Sequence, residues 1–405
     1  MASRAGTVVV GGGQAGCEVA FALRSAGYGD PITIVCGEAH LPYERPPLSK
    51  GVLGGATDPA KLTLRSERAY EAKSVSVRIG DPVVAIDREG SVVRTAAGEE
   101  IAYDALVLAT GADAIRPEWA GSSRIHTIRT LDDSLAVAPR RGDRVAVIGG
   151  SFLGLEAASS LSGLVSSVTV VESTADVLPG RVSRYTAQRI RKIHEDSGIR
   201  FVLGERVTAV TGGRGAVESG GGIEIALRGG RTLDVDWAVL AIGACPRDEL
   251  AAASGIETAR GIVVDECCRT SDPDIYAIGD VAITRTASGV SAGVESVASA
   301  MAQARIAAAA IAGTPPPALR PETFWSEQYG TQLRIAGLVG ATDSVVDSVE
   351  ETEDGGFVVR RSCRGALVSV EAFGSPRQFA LGLRELATTV KAGESDESDL
   401  SLQVG

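Results

Sequence analysis

Between Thr7 and Ala26 the chain changes its period. Thr7-Val-Val-Val10 is an unbroken β-branched run, and from Gln14 the apolar positions recur at helical spacing as far as Ala26. A short continuous run bounded by glycine predicts a strand buried on both faces, and the pattern after it predicts a helix lying back on that strand. Between the two stands Gly11-Gly-Gly13-Gln14-Ala15-Gly16. In a strand–turn–helix, glycines at this spacing allow a tight turn, close approach of backbone to a pyrophosphate, and tight packing of helix on strand. The helix N-terminus then offers free N–H groups and the positive end of its dipole to the anion.

The same succession returns. Arg144-Val-Ala-Val-Ile148 runs into Gly149-Gly-Ser151-Phe152-Leu153-Gly154-Leu-Glu156, then a helical pattern, then the strand pattern Val168–Val171. The chain therefore reads as holding two dinucleotides. Near the end of the second strand of each repeat an acid is expected for the ribose hydroxyls. In the first repeat Ile32–Val35 leads into Cys36-Gly37-Glu38, which makes Glu38 the candidate, one residue late; in the second, Glu172 follows Val171 directly. Ser173-Thr-Ala175 brings no arginine beside Glu172, and a carboxylate there repels a 2'-phosphate, so NADH is expected over NADPH. Ser151 replaces the middle glycine of its repeat and puts a side chain where backbone should meet the pyrophosphate.

The remaining patterns extend this plan. The loop His40-Leu-Pro-Tyr-Glu-Arg45-Pro-Pro-Leu-Ser-Lys50 is expected to be held extended by its prolines and to aim one cation. From Val75 to Ala109 short strands alternate with turns and close on Ala109-Thr110-Gly111; residues 201 to 243 repeat this and close on Ala-Ile-Gly243. Asp272-Pro-Asp-Ile-Tyr-Ala-Ile-Gly279-Asp280 reads as a strand-to-helix turn with a carboxylate placed for a polyol hydroxyl. An alanine-rich helix is predicted from Val294 to Ala312, stopped by Gly313-Thr-Pro-Pro-Pro317. Beyond it, strand patterns such as Leu333–Ala336 and Gly356–Arg360 predict a small α+β domain, and Glu394–Asp399 reads as a solvated acidic tail.

A length of 405 residues fits two or three domains. A net charge of -11 argues against a nucleic-acid partner, which needs a basic face. No apolar run approaches membrane-spanning length, and the opening residues lead into a strand without a signal-peptide pattern, so the expected place is the cytoplasm. Cys17, Cys36, Cys245, Cys267, Cys268 and Cys363 include no pair two residues apart, and His40, His126 and His194 are scattered. No metal site is expected, and the thiols are expected to be packed or in strands without a redox role.

The motifs Leu41-Pro-Tyr-Glu-Arg-Pro-Pro-Leu-Ser-Lys50, Arg129-Thr-Leu-Asp-Asp133, Ala277-Ile-Gly-Asp280 and Phe324-Trp-Ser-Glu-Gln-Tyr329 occur in order. With the two glycine repeats, they make the chain resemble the FAD-dependent NAD(P)H:ferredoxin reductases that serve oxygenases, the family of putidaredoxin reductase, rubredoxin reductase and biphenyl dioxygenase ferredoxin reductase. The resemblance spans nearly the whole chain. It implies an α/β, glutathione-reductase-like fold with two Rossmann-like domains and a small α+β C-terminal domain. Residues 1–113 and 244–319 would form a discontinuous FAD-binding domain, 114–243 the NAD-binding domain and 320–405 the C-terminal interface domain.

Carried over by residue, the resemblance places Gly11, Gly13, Gln14, Ala15 and Gly16 at the FAD pyrophosphate. Gly37, Glu38, Arg45, Lys50, Val83, Ala109, Thr110, Gly111 and Arg129 would line that cofactor, with Gly279 and Asp280 at the ribityl chain, Val297 beneath the ring and Trp325 beside it. Gly149, Ser151, Phe152, Leu153, Gly154, Glu156, Glu172 and Gly243 would serve NADH, and Lys50 and Glu156 would pair as the catalytic groups near flavin N5. Gly37, Ser151, Ala298-Ser299 and Cys267-Cys268 depart from the family pattern. The implied activity is hydride transfer from NADH to FAD and delivery of single electrons to a [2Fe–2S] ferredoxin that feeds a cytochrome P450 or a Rieske oxygenase, by a monomer or weak dimer. Arg305, Arg334, Arg360, Arg361, Arg364, Arg377 and Arg384 are candidates for docking that ferredoxin. The rival readings are an NADH-dependent disulfide or peroxide reductase, which would need a cysteine in the loop Pro46–Lys50, and a signalling flavoprotein like apoptosis-inducing factor.

Overall fold

Four consecutive buried β-branched side chains put Thr7–Val10 at the centre of a parallel sheet in the computed structural model. The structure describes residues 4–212, 221–286, 289–292, 295–318, 320–337, 339 and 344–400. The strands stand in the order Ile275–Ala277, Ala105–Leu108, Thr7–Val10, Ile32–Val35 and Val75–Arg78, all parallel. The connections leave Thr7–Val10 on one side and return on the other, so its carboxyl end is the switch point at which doubly wound sheets bind ligands. Helix Gln14–Ser25 packs against helix Val297–Ala312 through small side chains, among them Cys17, Ala20, Ala304 and Ala308. The second of these helices begins later than its periodicity predicts because Ser296 caps it, accepting from Ser299 N at 3.0 Å; Val294 lies outside the described residues. It ends, as predicted, at Gly313, whose φ is 66°.

The chain divides into two compact units, one of residues 1–44, 60–113 and 244–319, the other of 45–59, 114–243 and 320–405. In the second unit the sheet order is Arg200–Leu203, Ser167–Glu172, Arg144–Ile148, Trp237–Leu240 and Ile125–His126, again all parallel. The duplication reaches single hydrogen bonds. Gly11 N donates to Val35 O, and Gly149 N to Val171 O, each at 2.8 Å. Each unit also holds a three-stranded antiparallel meander, of Val83–Asp87, Val92–Thr95 and Glu100–Ala102 in one and of Val207–Gly212, Ile223–Leu227 and Thr232–Val235 in the other.

The C-terminal part of the second unit is a five-stranded antiparallel sheet in the order Thr323–Gln328, Thr331–Ala336, Ala366–Phe373, Phe357–Cys363 and Val345–Glu351, followed by helix Pro376–Leu400. That helix takes in the acidic run read from sequence as a solvated tail. The sheet is joined to the dinucleotide fold of the same unit by a shared core containing Leu155, Ile190, Leu333 and Phe357. It is also joined by Glu371, which is 1 % exposed. The Glu371 carboxylate accepts from Ser183 N and Ser183 Oγ, both at 2.7 Å, at the start of helix Arg184–Asp196. Burial raises its pKa.

Two segments differ from their sequence patterns. The prolines do not extend the loop at 46: Pro46–Ser49 is a 3-10 turn, for which proline's fixed φ and missing N–H suit the first position. Gly279–Val281 is likewise a 3-10 turn, but it leads into strand Ala282–Thr286 rather than into a helix.

His194, 0 % exposed, meets the Tyr329 hydroxyl at 3.1 Å through Nδ1, while Nε2 has no partner. Burial pushes its pKa down from 6.5 to about 4. The unfolded chain therefore gains a proton below pH 6.5 that the folded chain refuses until about pH 4, and this group alone removes roughly 1.4 kcal/mol of stability per pH unit in that window. Chemical denaturation of the wild type and His194→Leu across this range should show a shallower acid slope in the variant.

Candidate functional site

The first glycine loop is closed by backbone contact. Gly11 has φ +114°, and a Cβ on it would lie 2.1 Å from Ala109 O; a Cβ on Gly16 would lie 2.0 Å from Gly11 O. Only glycine permits this approach of strand, turn and helix. Around Gly13 the reverse holds, since a Cβ there would meet nothing within 4 Å. Open space thus adjoins the N-terminus of the helix that Gln14 and Ala15 begin.

At the carboxyl ends of the same strands lies a cavity of about 580 Å³, lined in part by Val10, Gly11, Val35, Gly37, Val83, Thr110 and Arg247. Thr110 Oγ1 donates to Arg247 O at 2.7 Å, Arg247 N donates to Gly111 O at 2.9 Å, and the Arg247 guanidinium pairs with Asp113. Glu38 Oε2 accepts from the Tyr43 hydroxyl at 2.5 Å. Gly279 packs close to Ala15, a Cβ on it falling 3.1 Å from that of Ala15, and its N–H donates to Gln303 Oε1 at 2.6 Å. Asp280 follows, and both it and Val297 are half-buried. An anion-ready helix terminus, apolar strand ends and a carboxylate beside one cavity fit the adenosine diphosphate portion of FAD.

The second loop repeats the geometry with one chemical change. Gly149 has φ +112°, and a Cβ on Gly154 would lie 2.0 Å from Gly149 O. The middle position is Ser151, whose hydroxyl turns to the strand end and donates to Ala241 O at 3.1 Å. Gly243, with φ +119°, closes the strand beyond. The residue packed on the second glycine of each loop is Cys36 against Gly12 and Glu172 against Gly150. The structural counterpart of Glu172 is therefore Cys36, and Glu38 stands two residues beyond that position. Glu172, 7 % exposed, accepts from Gly150 N at 2.7 Å, Thr174 N at 2.8 Å, Thr174 Oγ1 at 3.0 Å and Ser173 Oγ at 3.1 Å. A glycine turn at a helix terminus with a fixed carboxylate at the neighbouring strand end fits a pyridine dinucleotide.

The helix that starts at this loop, Phe152–Leu161, carries Glu156, which is 7 % exposed. Its Oε2 accepts from Lys50 Nζ and from Ser49 Oγ, each at 2.6 Å; its Oε1 accepts from Ser326 Oγ at 2.6 Å and Glu327 N at 3.3 Å. Lys50 Nζ also donates to Pro46 O at 2.9 Å and stands 4.9 Å from the centroid of the Trp325 ring. Trp325 is 38 % exposed and is not a core tryptophan. Phe152 packs on Phe324 with ring centroids 4.5 Å apart, and Leu153 is half-buried beside it in sequence. Arg45 donates to Arg129 O at 2.6 Å.

Within one unit the structure thus brings together Lys50, Glu156 and Trp325, and within the other the first glycine loop, Gly37, Val83 and Thr110. Sequence reasoning passed over Ser49, Ser326, Gln328 and Arg247. Ser49 and Ser326 adjoin chosen residues in recognised motifs, and that adjacency was the available signal. The loop of Pro46–Lys50 holds a serine and no cysteine beside Glu156. The cysteines are free thiols; Cys17, Cys36 and Cys268 are buried, Cys245 and Cys267 exposed. Among the described residues no group of three or more His, Cys, Asp or Glu is placed to hold a metal, and no helix is long and apolar enough to cross a membrane.

Residues 6–304 match the pyridine nucleotide-disulphide oxidoreductase family, and residues 323–404 match the reductase C-terminal family. A probable ferredoxin reductase of Castellaniella defragrans is 37 % identical, the match covering 93 % of this chain and 92 % of that protein. A rubredoxin-NAD(+) reductase of Pseudomonas putida is 36 % identical over 93 % of this chain and 97 % of its own. The reductase in a covalent putidaredoxin reductase–putidaredoxin complex superposes with a TM-score of 0.87 at 29 % identity, covering 95 % of this chain and 93 % of that one. The two glycine loops, the antiparallel C-terminal sheet and these matches agree: the chain belongs to the pyridine nucleotide-disulphide oxidoreductases, as an FAD-dependent member with a reductase C-terminal domain that is similar to ferredoxin and rubredoxin reductases.

Proposed function

We propose that this protein takes hydride from NADH onto FAD and passes electrons singly to a [2Fe–2S] ferredoxin serving a cytochrome P450 or Rieske oxygenase, in the cytoplasm. Residues 1–113 and 244–319 would be the FAD-binding domain, 114–243 the NAD-binding domain and 320–405 the interface domain. The observation that carries the reading is the position of Glu156. The helix whose N-terminus borders the second glycine loop also carries the buried carboxylate that holds Lys50. A pyridine nucleotide bound at that loop would bring its reactive end along the helix that fixes the ion pair.

FAD, when bound, supplies the exchange between two-electron and one-electron chemistry. The chain supplies position and field. Gly11, Gly13, Gln14, Ala15 and Gly16 would hold the FAD pyrophosphate, with Glu38, oriented by Tyr43, at the ribose and Asp280 at the ribityl chain. Lys50, anchored by Glu156 and the Pro46 carbonyl, would place a positive charge at the site of hydride arrival. Trp325 would shield that charge from water. Glu172 would take the adenosine ribose of NADH, and its fixed negative charge disfavours a 2'-phosphate.

Docking of an acidic ferredoxin calls for cations that are not already spent within the fold. Arg361 is 14 % exposed and pairs with Asp347 and Glu371, so it braces the C-terminal sheet. Arg360 pairs with Glu385, Arg305 with Glu18, and Arg334 donates to Gln332. Arg364, Arg377 and Arg384 are exposed and carry the docking proposal.

The purified yellow protein should reduce cytochrome c with NADH several-fold faster when a [2Fe–2S] ferredoxin is added; no stimulation would remove the ferredoxin reading. Replacing Arg364, Arg377 and Arg384 together by alanine should slow the ferredoxin-dependent rate about tenfold at low salt while leaving ferricyanide reduction unchanged. For nucleotide choice, Glu172→Ala should narrow the ratio of kcat/KM for NADH over NADPH by about tenfold. An unaltered ratio would show that Glu172 only ties its own loop.

A further inference from the structure

We propose that Ser326, with Gln328 behind it, is a positioning residue for the Lys50–Glu156 pair; this rests on the role given to that pair above. The carboxylate of the pair is gripped at both ends. Lys50 and Ser49 occupy Oε2, whereas Ser326 Oγ occupies Oε1 at 2.6 Å. The second donor to Oε1, Glu327 N, is at the longer distance of 3.3 Å. A carboxylate held at one oxygen can turn about its last side-chain bond. Held at both, it keeps Oε2 aimed at Lys50.

The direction of the bonds follows from counting protons. A serine hydroxyl has one proton to give. Gln328 Nε2 donates to Ser326 Oγ at 2.9 Å, which fills an acceptor position of that oxygen and leaves its proton for Glu156. The opposite amide orientation would set two acceptors against that single proton. Gln328 Oε1 has no partner, so Ser326 is the contact that fixes the amide. Ser326 is 0 % and Gln328 1 % exposed, where such bonds are strongest and a missing partner is most costly.

The clamp is also mounted on rigid backbone. Ser326 lies within strand Thr323–Gln328, paired in register with Leu333, which is itself 0 % exposed. The next residue back, Trp325, has its ring 4.9 Å from Lys50 Nζ. One strand of the C-terminal sheet therefore supplies both the aromatic contact to Lys50 and the hydroxyl that holds the partner of Lys50. Without the hydroxyl, Oε1 keeps only the long bond to Glu327 N, and Glu156 is free to swing away from Lys50.

The test uses the FAD-loaded enzyme, mixed anaerobically with NADH in a stopped-flow instrument, with FAD content and thermal unfolding as controls. Ser326→Ala should lower the limiting rate of flavin bleaching about tenfold, with KM for NADH changed less than about twofold, as expected for a misplaced group rather than a lost binding contact. Ser326→Thr, which restores the hydroxyl, should recover the rate to within about twofold. In a Glu156→Gln background, Ser326→Ala should add no further loss. A crystal structure of Ser326→Ala should show the Glu156 carboxylate rotated off Lys50, a readout independent of turnover. Gln328→Met gives a second entry to the same network should Ser326→Ala fold poorly, with a smaller loss in the same sense. If Glu156→Gln is slow and Ser326→Ala is as fast as wild type, or if threonine fails to rescue, Ser326 is not a positioning residue. If Glu156→Gln itself is as fast as wild type, the reading of the ion pair falls with it.

Discussion

A carboxylate nearly sealed from water needs a partner at each oxygen, because an unpaired buried charge costs several kcal/mol. Glu156, carried on the helix of the second glycine repeat, meets that requirement with side chains from two other segments of the chain: Ser49 and Lys50 from the proline-rich loop and Ser326 from the C-terminal sheet. The requirement explains why the loop at 45–59 is folded with residues 114–243 and 320–405. It explains also why Pro46–Ser49 is a tight 3-10 turn, since that turn presents Ser49 Oγ, Lys50 Nζ and the Pro46 carbonyl together. On the proposed reading, hydride transfer would depend on an interaction that is also a structural tie.

Around this tie the architecture is a repetition with one substitution. The two glycine loops share their hydrogen bonds and their backbone contacts to within 0.1 Å, as the pairs Gly11 with Gly149 and Gly16 with Gly154 show. What differs is the side chain set against the second glycine. A neutral Cys36 in one and a charged Glu172 in the other mean that the same backbone presents two electrostatic surfaces. Burial drives the Cys36 thiol up to about 12, so it remains a small apolar filler, while Glu172 gathers four donors around a carboxylate. Nucleotide discrimination on this account comes from a single position of a duplicated fold.

Much of this was legible in the sequence because it is local. A glycine required by a turn, a β-branched run buried on both faces and a Gly-Thr-Pro-Pro-Pro stop each announce themselves within a few residues, and the sheet strands, the two glycine turns and the end of the alanine-rich helix at Gly313 fall where they indicate. The prolines at 46 and 47 misled because a fixed φ serves an extended segment and a tight turn equally well. Arg361 misled because nothing in its neighbourhood reveals that Asp347 and Glu371 claim it. Ser326 stood beside Trp325 in a recognised motif, but nothing local revealed what it binds. Its partner Glu156 is 170 residues away, and a lone serine has no periodicity to mark it.

The most direct measurement is the rate of flavin reduction by NADH in Lys50→Met, followed anaerobically under single-turnover conditions with FAD content verified. If the ion pair sets the field at the point of hydride arrival, the limiting rate falls about a hundredfold while the enzyme still retains FAD. A rate equal to that of the wild type would contradict the account, leaving Lys50 and Glu156 as a structural tie with no part in the transfer.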